Sequence, residues 1–421
     1  MLSATPFQLI CSLLFVLAIA HTFSTKFFEH LAHQNPRHAG VWHWLGEVEV
    51  VFGFWALVLS MVMFGLEGAK PAIEYIDSRN YTEPMFVFAV MVIAATRPIL
   101  QVAMGLIQQV TRAVPLAGSQ GYYLVVMVLV PLLGSFITEP AAMTLAALIL
   151  GNRFFAHCES SSFKYATLGV LFVNISIGGT LTSFAAPPVL MVAGAWDWDT
   201  PFMASTFGWK AAIAVLINSV GAAVIFRKLL SDLPQQTAPT DSRPPAPWSL
   251  VLAHLVFLVS VVGFAHYPPI FMGLFLFFLG LSHAYERHQD PLILKEGLLV
   301  AFFLAGLVVL GGQQQWWLQP LLMQMNSDVV FVGAIALTAF TDNAALTYLG
   351  SLVEGLSDDF KYSLVAGAVT GGGLTIIANA PNPAGIAILR AHFDEGAVSP
   401  SRLLLAALAP TLVAALSFWL L

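Results

Sequence analysis

Two carboxylates, Glu139 and Asp342, lie inside long apolar runs of this chain. An ionised carboxylate in hydrocarbon is costly, so such residues usually face a cavity and take part in function. Two carboxylates suit a hard cation such as Na⁺, because hard cations prefer oxygen ligands. A carboxylate that binds either Na⁺ or H⁺ makes the two ions compete, which is the simplest route to exchange. The alternative is that a buried cation such as Arg97 satisfies each carboxylate.

Neutral oxygen ligands accompany both carboxylates. The further candidate ion-binding or substrate-binding residues are Thr138, Thr182, Thr341, Asn343, Thr375, Asn379 and Asn382. Several of them lie where Gly or Pro breaks an apolar run, and a helix break leaves backbone carbonyls that can coordinate a cation. The alternative is that these hydroxyls and amides only satisfy the freed backbone, and one side chain can do both. The sequence therefore predicts a sodium site with Glu139 and Asp342 as its charged ligands.

Other chemistries lack their motifs. Cys11 and Cys158 give neither a disulfide framework nor a metal-ligand spacing. The chain has no Gly-rich phosphate loop, and we find no nucleophile–base set. We therefore expect no enzyme activity and no cofactor, only transported Na⁺ and H⁺. The net charge of −6 gives no nucleic-acid footprint.

The candidate residues must be positioned by membrane segments. Of the 421 residues, 58% are hydrophobic and 10% are charged, whereas a soluble domain carries about 25% charged residues. Apolar stretches of the roughly 20 residues that span a bilayer recur along the chain. We therefore expect a multi-pass protein of a bacterial inner membrane. The predicted segments are 5–22, 45–66, 84–110, 121–150, 163–194, 208–228, 248–266, 268–284, 295–312, 328–353, 361–390 and 401–421.

A polar, Pro-rich stretch at 231–247 is typical of a linker, and we place it in the cytoplasm. It divides the chain into an N-terminal repeat, 1–230, and a C-terminal repeat, 248–421. This division predicts two halves of comparable organisation.

The two halves share motifs in the same order. Thr-Glu-Pro-Ala-Ala-Met-Thr at 138–144 matches Thr-Asp-Asn-Ala-Ala-Leu-Thr at 341–347, and Gly-Gly-Thr-Leu-Thr at 178–182 matches Gly-Gly-Gly-Leu-Thr at 371–375. Internal repeats with interrupted apolar segments indicate the binding site of a transporter. The Gly pairs can also serve plain helix packing, which we favour.

Each half holds one segment interrupted by the polar motif and one interrupted by Pro, which breaks a helix. Freed backbone survives at membrane depth only in a cavity or inside protein. We therefore predict re-entrant hairpins at 121–150 and 328–353, whose arms of about a dozen residues are too short to cross. Segments 163–194 and 361–390 are predicted to be crossing helices broken in the middle.

This layout predicts an all-α polytopic membrane protein with two inverted repeats. An odd number of crossings in each half turns the second half upside down relative to the first. With the N-terminus outside, most Lys and Arg residues fall on cytoplasmic loops, as the positive-inside rule requires.

The pattern resembles the ion transporter superfamily, which includes dicarboxylate/sodium symporters, arsenite pumps and NhaD-type sodium/proton antiporters. Ala378-Asn-Ala-Pro-Asn-Pro383 is similar to the Asn-Pro-rich break of the NhaD-type group, and Thr341-Asp-Asn343 resembles its hairpin tip. The overall sequence looks most like a family of sodium/proton antiporters. Dicarboxylate carriers show Ser-Asn-Thr at both tips, whereas this chain has acidic tips that would repel an anion.

We therefore expect a secondary active cation/proton antiporter that exchanges Na⁺ and H⁺. The alternative is a sodium-coupled symporter for a small carboxylate or inorganic anion, carried with several cations. The expected partners are Na⁺, protons and the lipid bilayer, and a homodimer is left open. Arg97 can pair with Glu139, Asp342 or Glu49 and tune the site, or it can be a structural tether.

Overall fold

The computed structural model describes residues 4–114, 116–233 and 244–421. These residues form α-helices with short 3₁₀ and π turns, and they contain no β-strand. The predicted all-α class is therefore confirmed. Most of the predicted linker, at 234–243, lies outside the described residues.

The helices before the linker are α1 (Pro6–Thr22), α2 (Thr25–Gln34), α3 (Ala39–Gly46), α4 (Val48–Leu66), α5 (Ala69–Asp77), α6 (Thr82–Ala94), α7 (Arg97–Ala113), α8 (Gln120–Ile137), α9 (Glu139–Arg153), α10 (Ser161–Gly178), α11 (Pro187–Ala193), α12 (Thr200–Met203), α13 (Trp209–Ile225) and α14 (Arg227–Asp232). Those after it are α15 (Trp248–Gly263), α16 (Pro268–Ala284), α17 (Leu294–Gly311), α18 (Gln315–Leu322), α19 (Ser327–Thr338), α20 (Asn343–Ser351), α21 (Asp358–Gly371), α22 (Asn382–Leu389) and α23 (Pro400–Leu420). The predicted segments at 45–66, 268–284 and 295–312 coincide with α4, α16 and α17 to within a few residues.

Five helical stretches in the described part of the chain are long and apolar enough to cross a membrane. They are α4, α8, the continuous run Thr200–Ile225, α17 and α23. The bent pair α6 and α7 makes a sixth if it is counted as one span. The chain therefore has the helix lengths and the apolar composition of a multi-pass membrane protein.

The third predicted membrane segment, 84–110, corresponds to the two helices α6 and α7. The chain bends by 65° between α6 and α7. Thr96 has extended backbone angles, φ −71° and ψ 148°, and Pro98 lies in the first turn of α7. Pro has no backbone N–H to donate and is favoured in the first turn of a helix. One helix therefore ends before Thr96 and the next begins at Arg97.

The two polar motifs interrupt helices at the predicted positions. Only Thr138 separates α8 from α9, and four residues separate α19 from α20. One expectation about arm length is wrong: α8 has 18 residues rather than about a dozen, so its length alone would let it cross. It packs along α9, whereas α19 packs mainly on α21.

The two Pro-broken segments are also interrupted as predicted. Helix α10 ends at Gly178 and α11 begins at Pro187, while α21 ends at Gly371 and α22 begins at Asn382. The short helices beyond the breaks pack across the halves, α11 on α20 and α22 on α9. This exchange brings both breaks and both polar motifs to the middle of the structure.

Matched capping residues begin the interrupted helices. Ser160 accepts a hydrogen bond from the Phe163 backbone N–H at 3.4 Å, and Ser357 accepts one from Phe360 at 3.3 Å. A Ser in this position satisfies a donor that the first turn leaves unpaired. The corresponding helices of the two halves therefore start by the same local mechanism.

Glycines allow the central helices to approach closely. A Cβ atom at Gly306 of α17 would overlap the backbone of Phe52 and Gly53 in α4, and one at Gly373 would overlap the backbone of Val173 in α10. Small residues give membrane helices this backbone-to-backbone contact. Close packing at Gly373 agrees with the packing role that we favoured for the Gly pairs.

We expect Gly306→Ala to destabilise the protein by about 1–3 kcal/mol, because the added methyl forces α4 and α17 apart. The measurement is Tm of the purified protein in detergent. The matched control is Gly280→Ala on α16, where a Cβ would meet no atom within 4 Å. Equal Tm values for the two variants would contradict the close approach of α4 and α17.

Candidate ion-binding site

Glu139 lies at the start of α9 and its side chain is fully buried. Thr138 before it has φ 70° and ψ 151°, a region that residues with a Cβ rarely adopt and β-branched residues least of all. Such strain persists only where the surroundings fix it, and it concentrates at functional sites. The turn also places the positive end of the α9 dipole at the carboxylate.

The Glu139 carboxylate connects the two halves. Its Oε2 accepts a 2.8 Å hydrogen bond from Nδ2 of Asn379, which lies in the second helix break. Its Oε1 has no hydrogen-bond partner among the described residues. A Cβ at Gly179 would lie 2.5 Å from Oε1, so only glycine leaves room for this oxygen. The carboxylate is thus held by one oxygen and open at the other.

Ser135 of α8 ties down the first break. Its hydroxyl donates to the Gly178 carbonyl at 2.7 Å and accepts from the Leu181 N–H at 2.9 Å. The Thr182 hydroxyl donates to the Ser135 carbonyl at 2.6 Å. Thr182 therefore satisfies freed backbone, as the alternative interpretation held. Sequence reasoning missed Ser135, although a Ser three residues before the polar motif was a usable signal.

Asn382 and Thr375 satisfy the second break in a similar way. Asn382 Nδ2 donates to the carbonyls of Gly372 at 2.8 Å and Thr375 at 2.9 Å. The Thr375 hydroxyl donates to the Ala339 carbonyl at 2.9 Å. These bonds use the hydrogen-bond donors of both side chains. The side-chain amide oxygen of Asn382, Oδ1, has no partner in the described structure.

Asp342 is the N-cap of α20 and is partly exposed. Its Oδ1 accepts hydrogen bonds from the backbone N–H groups of Ala344 at 2.8 Å and Ala345 at 3.2 Å. Asp342 and Thr341 line a cavity of about 20 Å³, close to the room that one water molecule needs. The other lining residues are Ile19, Thr22, Val48, Phe52, Phe303 and Ile377.

Hydrogen bonds connect the residues of the two polar motifs. The link runs through the second break, because the Asn343 N–H donates to the Ala378 carbonyl at 3.1 Å and the next residue, Asn379, bonds Glu139. Their surroundings differ, since Asp342 binds its own helix. By the repeat alignment the first half has Ala186 where the second has Asn379, so it lacks the equivalent amide.

Several buried oxygens around this link have no hydrogen-bond partner within the described residues. They are Thr138 Oγ1, Glu139 Oε1, Asn343 Oδ1, Asn379 Oδ1 and Asn382 Oδ1. Buried acceptors are rarely left unpaired, because each costs free energy. The described residues hold no group of three His, Cys, Asp or Glu suited to a metal ion. A set of mostly neutral oxygens with one carboxylate instead suits a hard, weakly charged cation.

Arg97 bonds the end of the predicted linker. Its guanidinium donates to the Pro244 carbonyl at 3.2 Å. One turn later, Gln101 exchanges two hydrogen bonds with the backbone of Ala246, at 2.8 and 3.3 Å. These contacts hold the end of the linker against α7, which is the tether interpretation. None of the described hydrogen bonds of the two carboxylates involves Arg97, so its tuning role stays a prediction.

A larger polar cavity of about 510 Å³ adjoins the first break. Ser183, next to Thr182, lines it and lies 3.3 Å from the Thr200 hydroxyl. Its carboxylates are Glu83, Asp197 and Asp199. Acidic walls in a cleft raise the local cation concentration. The sequence analysis did not find this cavity, because its residues come from three separate parts of the chain.

Comparison with known proteins identifies the family of the chain. A family model described as "Putative Na+/H+ antiporter" matches residues 6–421, which include both halves and every candidate residue. No curated protein matches the chain. The family is one of transporters and not of enzymes, and the expected antiporter relationship is confirmed. The chain belongs to the Na⁺/H⁺ antiporter family.

Proposed function

We propose that this antiporter exchanges Na⁺ for H⁺ at Glu139, where the two helix breaks meet. The observation that carries the proposal is that Glu139 is fully buried, bonds Asn379 of the second break through Oε2, and has Oε1 unpaired in the described structure beside Gly179 of the first break. Glu139 Oε1 supplies the negative charge. The side-chain amide oxygens of Asn343, Asn379 and Asn382 supply neutral ligands. The hydroxyl of Thr138 adds another oxygen.

Because Glu139 is buried, its carboxylate binds either Na⁺ or H⁺ in this proposal. A bare carboxylate with no exposed surface is unfavourable, because burying an uncompensated charge costs free energy. Either a proton on Oε1 or a sodium ion against it removes that cost. The Asn379 amide remains bonded to Oε2 in both states and holds the carboxylate in place.

Asp342 is proposed as the second sodium-coordinating carboxylate, closer to water. It is partly exposed and lines a small cavity with Thr341. The Asn343 N–H and the Asn379 amide connect its motif to Glu139 through the second break. The large acidic cavity beside Ser183 supplies a route for cations to the first break, since its carboxylates attract them.

We further propose two inverted repeats with the N-terminus outside a bacterial inner membrane. The matched Ser caps and the reciprocal packing of α11 on α20 and α22 on α9 support the repeat. Helices α19 and α20 have 12 and 9 residues, so at 1.5 Å per residue neither spans a core about 30 Å thick. The packing of α8 along α9 supports the first hairpin. The likeness to the NhaD-type group belongs to this proposal, and a homodimer stays open within it.

We expect Glu139→Gln and Asp342→Asn each to lower sodium-driven proton efflux by about tenfold or more, because the bound cation loses its compensating charge. The assay follows lumenal pH in proteoliposomes as Na⁺ is added outside. The control is Glu296→Gln, an exposed carboxylate in the first turn of α17. Near-normal exchange in both site variants, with normal expression, would contradict the mechanism.

Competition predicts a pH dependence with a definite sign. As pH falls, protons occupy the shared carboxylate and the apparent Na⁺ affinity falls with them. Well below the pKa of the site, the affinity changes by about tenfold per pH unit, because each decade of proton activity must be displaced. Apparent affinity is measured from about pH 6 to about pH 9. A constant value across that range would exclude a shared site.

The inverted repeat predicts opposite accessibility at equivalent positions. Ser162 and Asp359 precede the matched Phe163 and Phe360, and both side chains are exposed. We expect Ser162→Cys to react with a membrane-impermeant thiol reagent only after permeabilisation, and Asp359→Cys to react in intact cells. The background lacks Cys11 and Cys158, which are buried.

Labelling of both positions from the same side would overturn the inverted arrangement. These positions follow the capping residues Ser160 and Ser357 and leave the caps intact. The side from which each cysteine is labelled therefore reports its accessibility, because the substitution does not remove a helix cap.

A further inference from the structure

A cavity of about 440 Å³ lies between α19 and α20, the helices on either side of Asp342. Residues of α1, α4, α18 and α21, together with Met325, complete its walls. Thr341 is the one lining residue with a hydroxyl group, and nearly all of the remaining wall is aliphatic or aromatic. In the first half, α8 and α9 pack on each other. The second half thus has a gap where the first half has contact.

An empty apolar gap is unfavourable in a packed protein. Atoms that line a void lose their dispersion partners on one side. Water does not fill such a space well, because a buried water needs two to four polar partners. The cavity therefore requires an apolar occupant or a closed conformation.

The cavity is continuous with the lipid-facing surface. Leu321 and Leu337 line it and are also 50% and 53% exposed. Val329 and Val332 on the same helix as Leu337 are exposed as well, each at 52%. In a membrane transporter such an apolar surface meets acyl chains, which are as apolar as leucine. The mouth of the cavity therefore opens where acyl chains are the surrounding solvent.

We propose that this cavity binds an acyl chain of a membrane lipid. The chain fills the space between α19 and α20 and ends against Thr341, the neighbour of Asp342. Its presence then sets the separation of the two helices at the second polar motif. This binding does not depend on which ions the protein transports.

Gly333 offers a direct way to fill the site. It lines the cavity, and a Cβ built on it would meet no atom within 4 Å. A larger side chain there occupies the acyl-chain space without displacing backbone. Gly280 of α16 is the matched control, because its Cβ also meets nothing within 4 Å and it does not line the cavity.

The experiment uses the full chain in liposomes that contain a phosphatidylcholine with a diazirine on its acyl chain. After illumination, cross-linked positions are mapped by mass spectrometry. We expect cross-links at Ala334 and Leu364, which are each 3% exposed and are reached from the cavity. Gly333→Phe should reduce these cross-links by about fivefold or more, since the ring fills the space. Gly280→Phe should leave them unchanged.

Gly333→Leu serves as a second variant if the Phe variant does not fold, as judged by gel filtration. Cross-links confined to exposed residues in the wild-type protein would overturn the proposal. So would cavity cross-links that persist in both Gly333 variants.

Discussion

The structure depends on satisfying backbone groups that two helix breaks release inside the protein. Each unpaired carbonyl or N–H group at membrane depth costs free energy. Ser135 of α8 bonds the Gly178 carbonyl and the Leu181 N–H of the first break, and the hydroxyl of Thr182 inside that break satisfies the Ser135 carbonyl. The second break is satisfied mainly by Asn382. These bonds fix irregular backbone beside Glu139, whereas Asp342 is held by the N–H groups of its own helix.

The same bonds explain why oxygens are left over. A side-chain amide that uses its N–H groups presents only its oxygen to other partners. Asn382 donates to two backbone carbonyls and Asn379 donates to the Glu139 carboxylate, and the side-chain oxygens of both are unpaired in the described structure. A hydroxyl that donates once also keeps its lone pairs for another partner. The N–H groups of these Asn side chains are used in hydrogen bonds, and their oxygens remain. The region around the second break is therefore rich in hydrogen-bond acceptors. Such a surface favours a cation or a proton on Glu139, and it disfavours an anion.

Much of this arrangement was predictable because its signals are local. Pro and Gly in an apolar run indicate a break wherever they occur, and the carboxylates of Glu139 and Asp342 stand out against their neighbours. The bend before Arg97 was missed, although Thr-Arg-Pro carries a local signal for it. The partner of Arg97 and the acidic cavity could not be found, because they depend on segments far apart in sequence. Periodicity identifies which segments are buried, but it does not identify which of them meet.

The two halves hold their carboxylates, Glu139 and Asp342, in different ways. A perfectly repeated site would give Asp342 a buried amide partner like that of Glu139, but Ala186 stands at that position. Asp342 is held instead by its own helix, and α19 and α20 are separated by a cavity. The first half therefore provides a closely packed, fixed carboxylate, and the second half provides the looser wall. The packing shows the same difference, because α8 packs along α9 whereas α19 packs on α21 and makes few contacts with α20. The two carboxylates therefore lie in unlike surroundings although their motifs are repeated in the sequence.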